Sequence, residues 1–314
     1  MPSVSFVATV YNKVPVLPFL TAGLGAQEGE FAREFIFVDD GSTDGSAALL
    51  SDLTAGWANV TILSQANAGP AAALNAGFAR AGGDFIKPMD GDDLLLPWAT
   101  WQLIEAIEAT GCAVAFGAAG TPYDPAAEPA RALAGDRLPG RIERQDNALR
   151  RSLARAQTNP STWLARAEAV RRSGGCDERV FIQDYSIELR LATQSAFARL
   201  HEPVVRGPAA ATDRLSDNQA QILHDMNRAL AYFLTEHPDL SRDLARLGFS
   251  RAALRAWAWA RRRDGRGVFS REFLLVCGAR LGILSPTAAN LHAACRAFAV
   301  THSIRVPPGG EVLS

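Results

Sequence analysis

Short apolar runs alternate with amphipathic stretches through the first half of the chain. Val4–Val10, Glu34–Val38, Val60–Ser64 and Asp84–Pro88 are each about the length of a buried strand. Between them, apolar residues recur at helical spacing from Val16 to about Ala26, from the Ser42/Asp44 region to about Leu53, and from Pro70 to about Ala81. Ser42 and Asp44 are residue types that cap a helix start, and Pro70 and Pro97 suit a first helical turn, which tolerates proline. The helix predicted after Pro97 presents Trp98, Trp101, Ile104 and Ile107 on one face. Strands alternating with helices over short connections predict an α/β sheet.

A further strand is expected at Ala113–Phe116. The stretch from Gly117 to about Asn147 is rich in Pro, Ala, Gly and charge, and reads as a long loop with at most one helical piece. Loops of that length in compact domains are commonly lids or binding loops. Order returns with a strand at Ser161–Leu164, a helix near Glu168–Ser173, and a helix from Asp184 to about Thr193. Residues 217 to 300 read almost wholly helical. The expected division is therefore 1–215 for the sheet domain and 216–314 for a helical C-terminal region, with no internal repeat.

Composition adds exclusions. The 314 residues are 48% hydrophobic and 21% charged, which is ordinary for a globular protein. A formal net charge of -1 provides no global field for nucleic acid or an anionic bilayer, so no nucleic-acid partner is expected. Positive charge is nearly all arginine, with Lys13 and Lys87 the only lysines. Cys112, Cys176, Cys277 and Cys295 lack metal-site spacing and read as reduced thiols. The longest apolar candidate for a membrane span, Phe273–Leu284, is broken by Gly278 and Arg280. The chain also enters its strand pattern at once, without a signal-peptide pattern, and a cytoplasmic protein is the expectation.

Candidate chemistry sits just past the predicted strand ends, where open α/β sheets collect their ligands. Tyr11 offers a flat face to a base, and Asp39 or Asp40 can accept hydrogen bonds from a base or ribose. Asp90, Asp92 and Asp93 place three carboxylates within four residues. Such a group repels itself unless it is solvated or neutralised, and a divalent cation shared with diphosphate oxygens would neutralise it. Taken singly, these features are more often a solvated turn, a helix cap and a packing tyrosine. Their order along the chain, at intervals natural to successive strand–helix units, favours one common site.

The residues that carry these features also carry a resemblance. Val4-Ser5-Phe6-Val7-Ala8-Thr9-Val10-Tyr11-Asn12-Lys13, Phe35-Ile36-Phe37-Val38-Asp39-Asp40-Gly41-Ser42-Thr43-Asp44, Asn67-Ala68-Gly69-Pro70 with Leu74-Asn75-Ala76-Gly77, and Gly83-Asp84-Phe85-Ile86 leading to Asp90-Gly91-Asp92-Asp93 resemble the family 2 glycosyltransferases of the GT-A fold. Further on, Gly174-Gly175-Cys176-Asp177-Glu178, Gln183-Asp184-Tyr185 and Leu189-Arg190-Leu191 extend the resemblance to about residue 200. It implies a Rossmann-like nucleotide-sugar domain with a mixed, mostly parallel sheet, followed here by the helical region. It implies that Tyr11 stacks on the base, that Asp40 reads the base edge with Asp39 supporting that loop, and that Asp92 binds ribose. Thr9, Asn12, Asn67, Gly69, Asn75 and Asp90 would complete the nucleotide site. Asp93 would hold Mn²⁺ or Mg²⁺, and Asp184 would be the catalytic base of an inverting, single-sugar transfer. The implied partners are a nucleotide-sugar donor, with UDP favoured by Tyr11 and Asp40, and a carbohydrate or lipid-linked acceptor. Such enzymes serve cell-surface polysaccharide or glycoconjugate synthesis.

Departures from the family pattern are visible. Gln183 stands where the family usually has an acid. No histidine follows the last core strand between Arg206 and Ser216; His201 lies early and reads as structural, and Arg214 reads either as a surface arginine or as a cover for the diphosphate. These departures support the alternative of a non-catalytic sugar-nucleotide-binding or scaffold protein. The Q-x-x-R-W signature of processive synthases is absent. Near the C-terminus, Trp257 and Trp259 adjoin Arg261-Arg262-Arg263. Two readings of this region stay open: peripheral contact with the inner face of a membrane through Trp257–Arg263, or tryptophans packed inward with arginines in water. Homo-oligomerisation is left open as well.

Overall fold

The computed structural model describes residues 1–135, 140–209, 218–265, 267–299 and 304–307. The chain opens with β1 (Ser3–Val10), α1 (Leu17–Gly25), β2 (Ala32–Asp39), α2 (Ser46–Leu53), β3 (Val60–Ser64), α3 (Pro70–Arg80) and β4 (Phe85–Asp90). It continues through β5 (Leu94–Leu95), α4 (Ala99–Thr110), β6 (Val114–Ala119), α5 (Pro129–Leu133), β7 (Ile142–Gln145) and α6 (Ala148–Ala154). A 3₁₀ turn at Pro160–Thr162 precedes β8 (Trp163–Arg166), α7 (Ala167–Ser173), α8 (Asp184–Ala192) and β9 (Phe197–Arg206). Four helices follow: α9 (Gln219–Glu236), α10 (Arg242–Asp264), α11 (Arg271–Leu281) and α12 (Ala288–Ala299).

The strands form one mixed sheet in the order β3-β2-β1-β4-β8-β6-β9-β5, with β7 also paired to β9. Most of the paired length is parallel: β1 with β2 and β4, β2 with β3, and β6 with β9. β8 runs antiparallel to β4 and β6, and β5 and β7 run antiparallel to β9. Val4 through Ala8 are all buried, as expected for a central parallel strand covered on both faces. On one side α3 lies close against β1. A Cβ at Gly77 would meet Val7 Cγ1 at 2.2 Å, so only glycine lets helix and strand approach this closely. Phe6 stacks on Phe35 with ring centroids 5.4 Å apart, and Phe35 meets Trp57 at 4.6 Å.

Among the described residues, one compact unit comprises Met1–Ala148, Thr158–Cys176 and the chain from Leu191 to residue 209. The other comprises Leu149–Gln157, Asp177–Arg190 and the chain from residue 218 onward. A single cut at residue 215/216, as drawn from the sequence, leaves those two inner segments with the sheet. The core of the second unit gathers Leu230, Phe249, Ala253, Leu291 and Phe298 from three of its helices with Leu189 of α8. Asn218, Ser241 and Ser270 cap α9, α10 and α11, each side-chain oxygen accepting the amide three residues on.

One expectation is corrected. The stretch from 117 to 147, read as a loop with at most one helical piece, contains that piece as α5 and also the edge strand β7 among its described residues. β7 escaped notice because Ile142-Glu143-Arg144-Gln145 exposes most of its length and so carries no apolar run. Two readings were open for the tryptophans near the C-terminus, and both rings pack against the protein, Trp259 buried and Trp257 half-buried. Trp259 is 6% exposed and meets Phe298 at 6.0 Å, while half-buried Trp257 packs on Phe273 at 5.1 Å. Arg261 and Arg263 lie over these rings from the solvent side, 5.5 and 5.3 Å from the ring centroids. No helix of the described residues is long and apolar enough to cross a membrane.

Candidate functional site

Strand register builds the site in the first unit. Val10 pairs with Asp39, Thr9 with Asp90, and Asp39 with Ser64, so β1, β2, β3 and β4 end level with one another. The turns that follow, Tyr11–Lys13, Asp40–Ser46, Gln65–Gly69 and Gly91–Asp93, therefore emerge along one edge of the sheet. Their close spacing is enforced at Gly91, where a Cβ would stand 2.6 Å from the Thr9 carbonyl oxygen.

Hydrogen bonds tie these turns together. Asn12 adopts the left-handed conformation at φ 52, and its amide donates to Ser42 Oγ at 3.0 Å. Asn12 Oδ1 accepts from the Thr43 amide at 2.8 Å, and the Lys13 amide donates to Ser46 Oγ at 2.8 Å. Asp44 accepts from the Ser46 amide and hydroxyl and from the Val14 amide. Burial alone would raise the Asp44 pKa, but these hydrogen bonds outweigh it and hold the carboxyl below its ordinary value. Tyr11 remains 44% exposed, with room for a flat ligand on its ring.

Asp40 is buried and heavily used. Its Oδ1 accepts from Gln65 Nε2 at 2.8 Å and the Ala68 amide at 2.9 Å, and its Oδ2 accepts from the Gly69 amide at 2.9 Å. The carboxylate thus clamps the whole Gln65–Gly69 loop to the end of β2. Asp39, also buried, accepts the Ser42 amide at 3.3 Å. Asn67 is exposed on the clamped loop, and Gly69, at φ 91, is the residue just before α3. Asn75 is placed differently from the rest. Its amide donates to the Cys176 carbonyl and accepts from the Cys176 amide, at 3.0 and 2.8 Å, which pins the Gly174–Cys176 turn.

Both lysines of the chain meet the acidic cluster. Lys13 Nζ is 2.7 Å from Asp92 Oδ2. Lys87, fully buried on β4, donates to the Ser161 carbonyl at 2.6 Å and the Pro88 carbonyl at 2.8 Å. Burial pushes its ammonium down to about 7, against the opposing pull of the Asp93 and Asp90 carboxylates. Ser161 completes the junction by accepting the Asp90 amide on Oγ at 2.9 Å. Tyr123 OH donates to the Asp92 carbonyl at 2.7 Å, held there by stacking on Phe19. Among the described residues no group of three or more His, Cys, Asp and Glu side chains is gathered as a metal cage. Asp90 and Asp93 suit a more open arrangement, in which one or two carboxylates share a cation with substrate phosphates.

Asp184 belongs to the second unit, where it is the first residue of α8 and half-buried. The turn before it is anchored by Asp225, whose Oδ2 accepts the Ile182 amide at 2.9 Å and Gln221 Nε2 at 2.8 Å. Gln183, buried, accepts on its carbonyl from Ser186 Oγ at 2.7 Å. On the first unit His201 pairs with Glu143 across β9 and β7 at 3.1 Å. Arg214 lies outside the described residues. Lys87, Gln65 and Tyr123 were missed as site residues. The rarity of lysine was a usable signal, whereas a mid-strand lysine or a loop glutamine has no motif of its own.

This geometry joins a specific family match. Residues 5–168 match the family described as Glycosyl transferase family 2, and the chain belongs to that family. It is 33% identical over 115 residues to the succinoglycan biosynthesis protein ExoO of Rhizobium meliloti, covering 37% of this chain and 32% of that protein. It is 38% identical over 107 residues to an undecaprenyl-phosphate 4-deoxy-4-formamido-L-arabinose transferase of Aeromonas hydrophila, covering 33% of each. The matches span about a third of the length of these two relatives. The fold is similar to that of S. aureus TarS 1-349 in complex with UDP-GlcNAc, at a TM-score of 0.57 and 15% identity, over 96% of this chain and 93% of that one. It is also similar to mannosyltransferase PcManGT from Pyrobaculum calidifontis in complex with GDP-Man and Mn²⁺, at 0.60 and 18%, over 94% and 86%. The fold is thus that of the GT-A glycosyltransferases.

Proposed function

We propose that this chain transfers a single sugar from a nucleotide-sugar donor to an acceptor hydroxyl with inversion, in cell-surface polysaccharide or lipid-linked glycoconjugate synthesis. The observation that carries the reading is the level ending of β1, β2, β3 and β4, which places Tyr11, Asp40, Asn67 and the Asp90–Asp93 carboxylates along one edge. The lipid-linked acceptor class is supported by the name of the Aeromonas relative.

Tyr11 stacks on the base, and Asp40 offers a single acceptor to its polar edge. A carboxylate accepts roughly four hydrogen bonds, so the three loop contacts of Asp40 leave capacity for the N3–H of uracil. Uridine is preferred on that ground. Asp92, buttressed by Lys13, faces ribose, and Asn12, Asn67, Gly69 and Asp39 shape the surrounding turns. Asp93, with Asp90, would hold Mn²⁺ or Mg²⁺, which supplies charge neutralisation to the departing diphosphate when bound. The acceptor oxygen attacks the anomeric carbon as the bond to the diphosphate oxygen breaks, and Asp184 takes the acceptor proton. Positioned proton transfer of this kind contributes about 10²–10⁴ in rate. The test is incubation of the full chain with UDP- and GDP-sugars, with Mn²⁺ or chelator, measuring released nucleoside diphosphate. Release from a UDP-sugar that depends on the cation is expected. Tight nucleotide binding with no release from any donor, with or without acceptor lipid, would instead mark a binding protein.

A further inference from the structure

The most exposed large hydrophobic side chains of the second unit gather around one short helix. Phe269 is 93% exposed, Leu274 59%, Leu281 69% and Ile283 74%. Leu274 and Leu281 are seven residues apart on α11 and so share one of its faces. Phe269 immediately precedes the capping Ser270, in the position that often packs back on the fourth helical residue, here Leu274. Both remain largely in solvent. At the other end Gly282, at φ 74, reverses the chain, and the Leu284 side chain folds back over Gly278, where a Cβ would lie 2.5 Å from Leu284 Cδ1. That turn spends Leu284 inward and leaves Ile283 outside. The result is an apolar row along a helix about 16 Å long, with its buried side already occupied by Leu275, Val276 and Ala279.

Charge identifies what this row meets. Exposed Arg271 and Arg280 flank the row on opposite sides, and exposed Arg261, Arg262 and Arg263 end the preceding helix. From residue 261 to 283 the sequence has six arginines and two acids, in a chain whose formal net charge is -1. A narrow apolar row rimmed by long cationic side chains fits the boundary between lipid headgroups and acyl chains, where arginine stems lie along the apolar layer and their heads reach phosphate. A protein partner of stable affinity would instead call for a broad, close-packed apolar centre.

We propose that the α11 face, through Phe269, Leu274, Leu281 and Ile283 with their arginine rim, docks the protein on an anionic lipid bilayer. The surface is different from the Trp257–Trp259 pair, whose rings pack on Phe273 and Phe298. It rests on neither the donor nor the acceptor assigned above, because lipid without any acceptor tests it.

The experiment is flotation of the full chain with vesicles of equimolar phosphatidylglycerol and phosphatidylcholine, and with phosphatidylcholine alone. Binding to the anionic vesicles is expected, falling about ten-fold with neutral vesicles or high salt, since surface attraction is screened. Leu274→Ser with Leu281→Ser should lower binding about ten-fold through lost apolar burial. Phe269→Ser, outside the helix and almost fully exposed, should weaken it severalfold without altering the thermal melt, so the outcome does not depend on the paired variant folding. Arg271→Gln with Arg280→Gln should erase the preference for anionic lipid. Absence of flotation, or flotation unchanged in the Phe269 and leucine variants, overturns the proposal. So does a concentration-dependent dimer in sedimentation that Phe269→Ser abolishes, which would assign the face to a second copy of the chain.

Discussion

Replacing Lys87 by methionine keeps the bulk of the side chain and removes its charge and its donors to the Ser161 and Pro88 carbonyls. The wild-type lysine has its pKa pushed from 10.5 down to about 7 by burial. Between those values the native protein has released this proton while the unfolded chain still binds it. Unfolding therefore takes up a proton, and stability rises with pH across that window. Below pH 7 both states are protonated, and the full burden of the buried cation is present. The gap corresponds to ~5 kcal/mol over the whole window. Between pH 7.5 and 9.5, most of one proton separates the two states, so wild-type stability gains ~2–3 kcal/mol from this residue alone. The two unpaired carbonyls cost Lys87→Met about 1–3 kcal/mol each, but this loss does not change with pH. Urea unfolding of both proteins across that range isolates the linked contribution, because other titrating groups cancel in the difference. The difference in stability should move steadily in favour of wild type as pH rises. Parallel curves would refute the assignment of a suppressed ammonium at Lys87.

Asp93→Ala is expected to abolish any tightening of nucleoside-diphosphate binding by Mn²⁺; equal calorimetric affinity with cation and chelator in the wild type would remove the cation from the reading. Asp184→Asn should retain donor binding and lose turnover by about 10²-fold or more, measured as kcat with saturating donor. UDP should outcompete GDP and ADP in a displacement titration, and GDP binding as tightly as UDP would reverse the base assignment. Asp40→Asn should lower Tm, because it disturbs three contacts of the Gln65–Gly69 loop, and should weaken UDP more than GDP, because it also alters the acceptor for the uracil N3–H; an equal loss for both nucleotides would confine Asp40 to the clamp.

The parallel half of the sheet was legible because Val4–Val10, Phe35–Val38 and Asp84–Pro88 are strand-length, largely apolar stretches that lead into punctuating polar clusters. Their level register was not legible, since strand pairing is a property of the assembled sheet. β5 and β7 were hidden for different reasons: Leu94–Leu95 is too short to show a period, and β7 is an exposed edge. The candidate residues were visible as motifs, but their partners were not. That Asp40 would clamp a loop, or Asn75 clasp the Cys176 backbone across 101 residues of sequence, depends on contacts no local spacing encodes.

The meeting of both lysines at the acidic cluster gives the chain a built-in chemical reporter. Acylating reagents that target amines have three addresses here: the N-terminus, Lys13 and Lys87. Lys87 is sealed in the sheet, while the Lys13 side chain is 26% exposed beside Asp92. Apart from the terminus, label uptake therefore reports on one spot, the end of β1. A donor lying over that spot would shield it, and because trypsin does not cut after an acylated lysine, the ratio of the Met1–Lys13 fragment to the uncut Met1–Arg33 fragment would count how much of the protein is occupied.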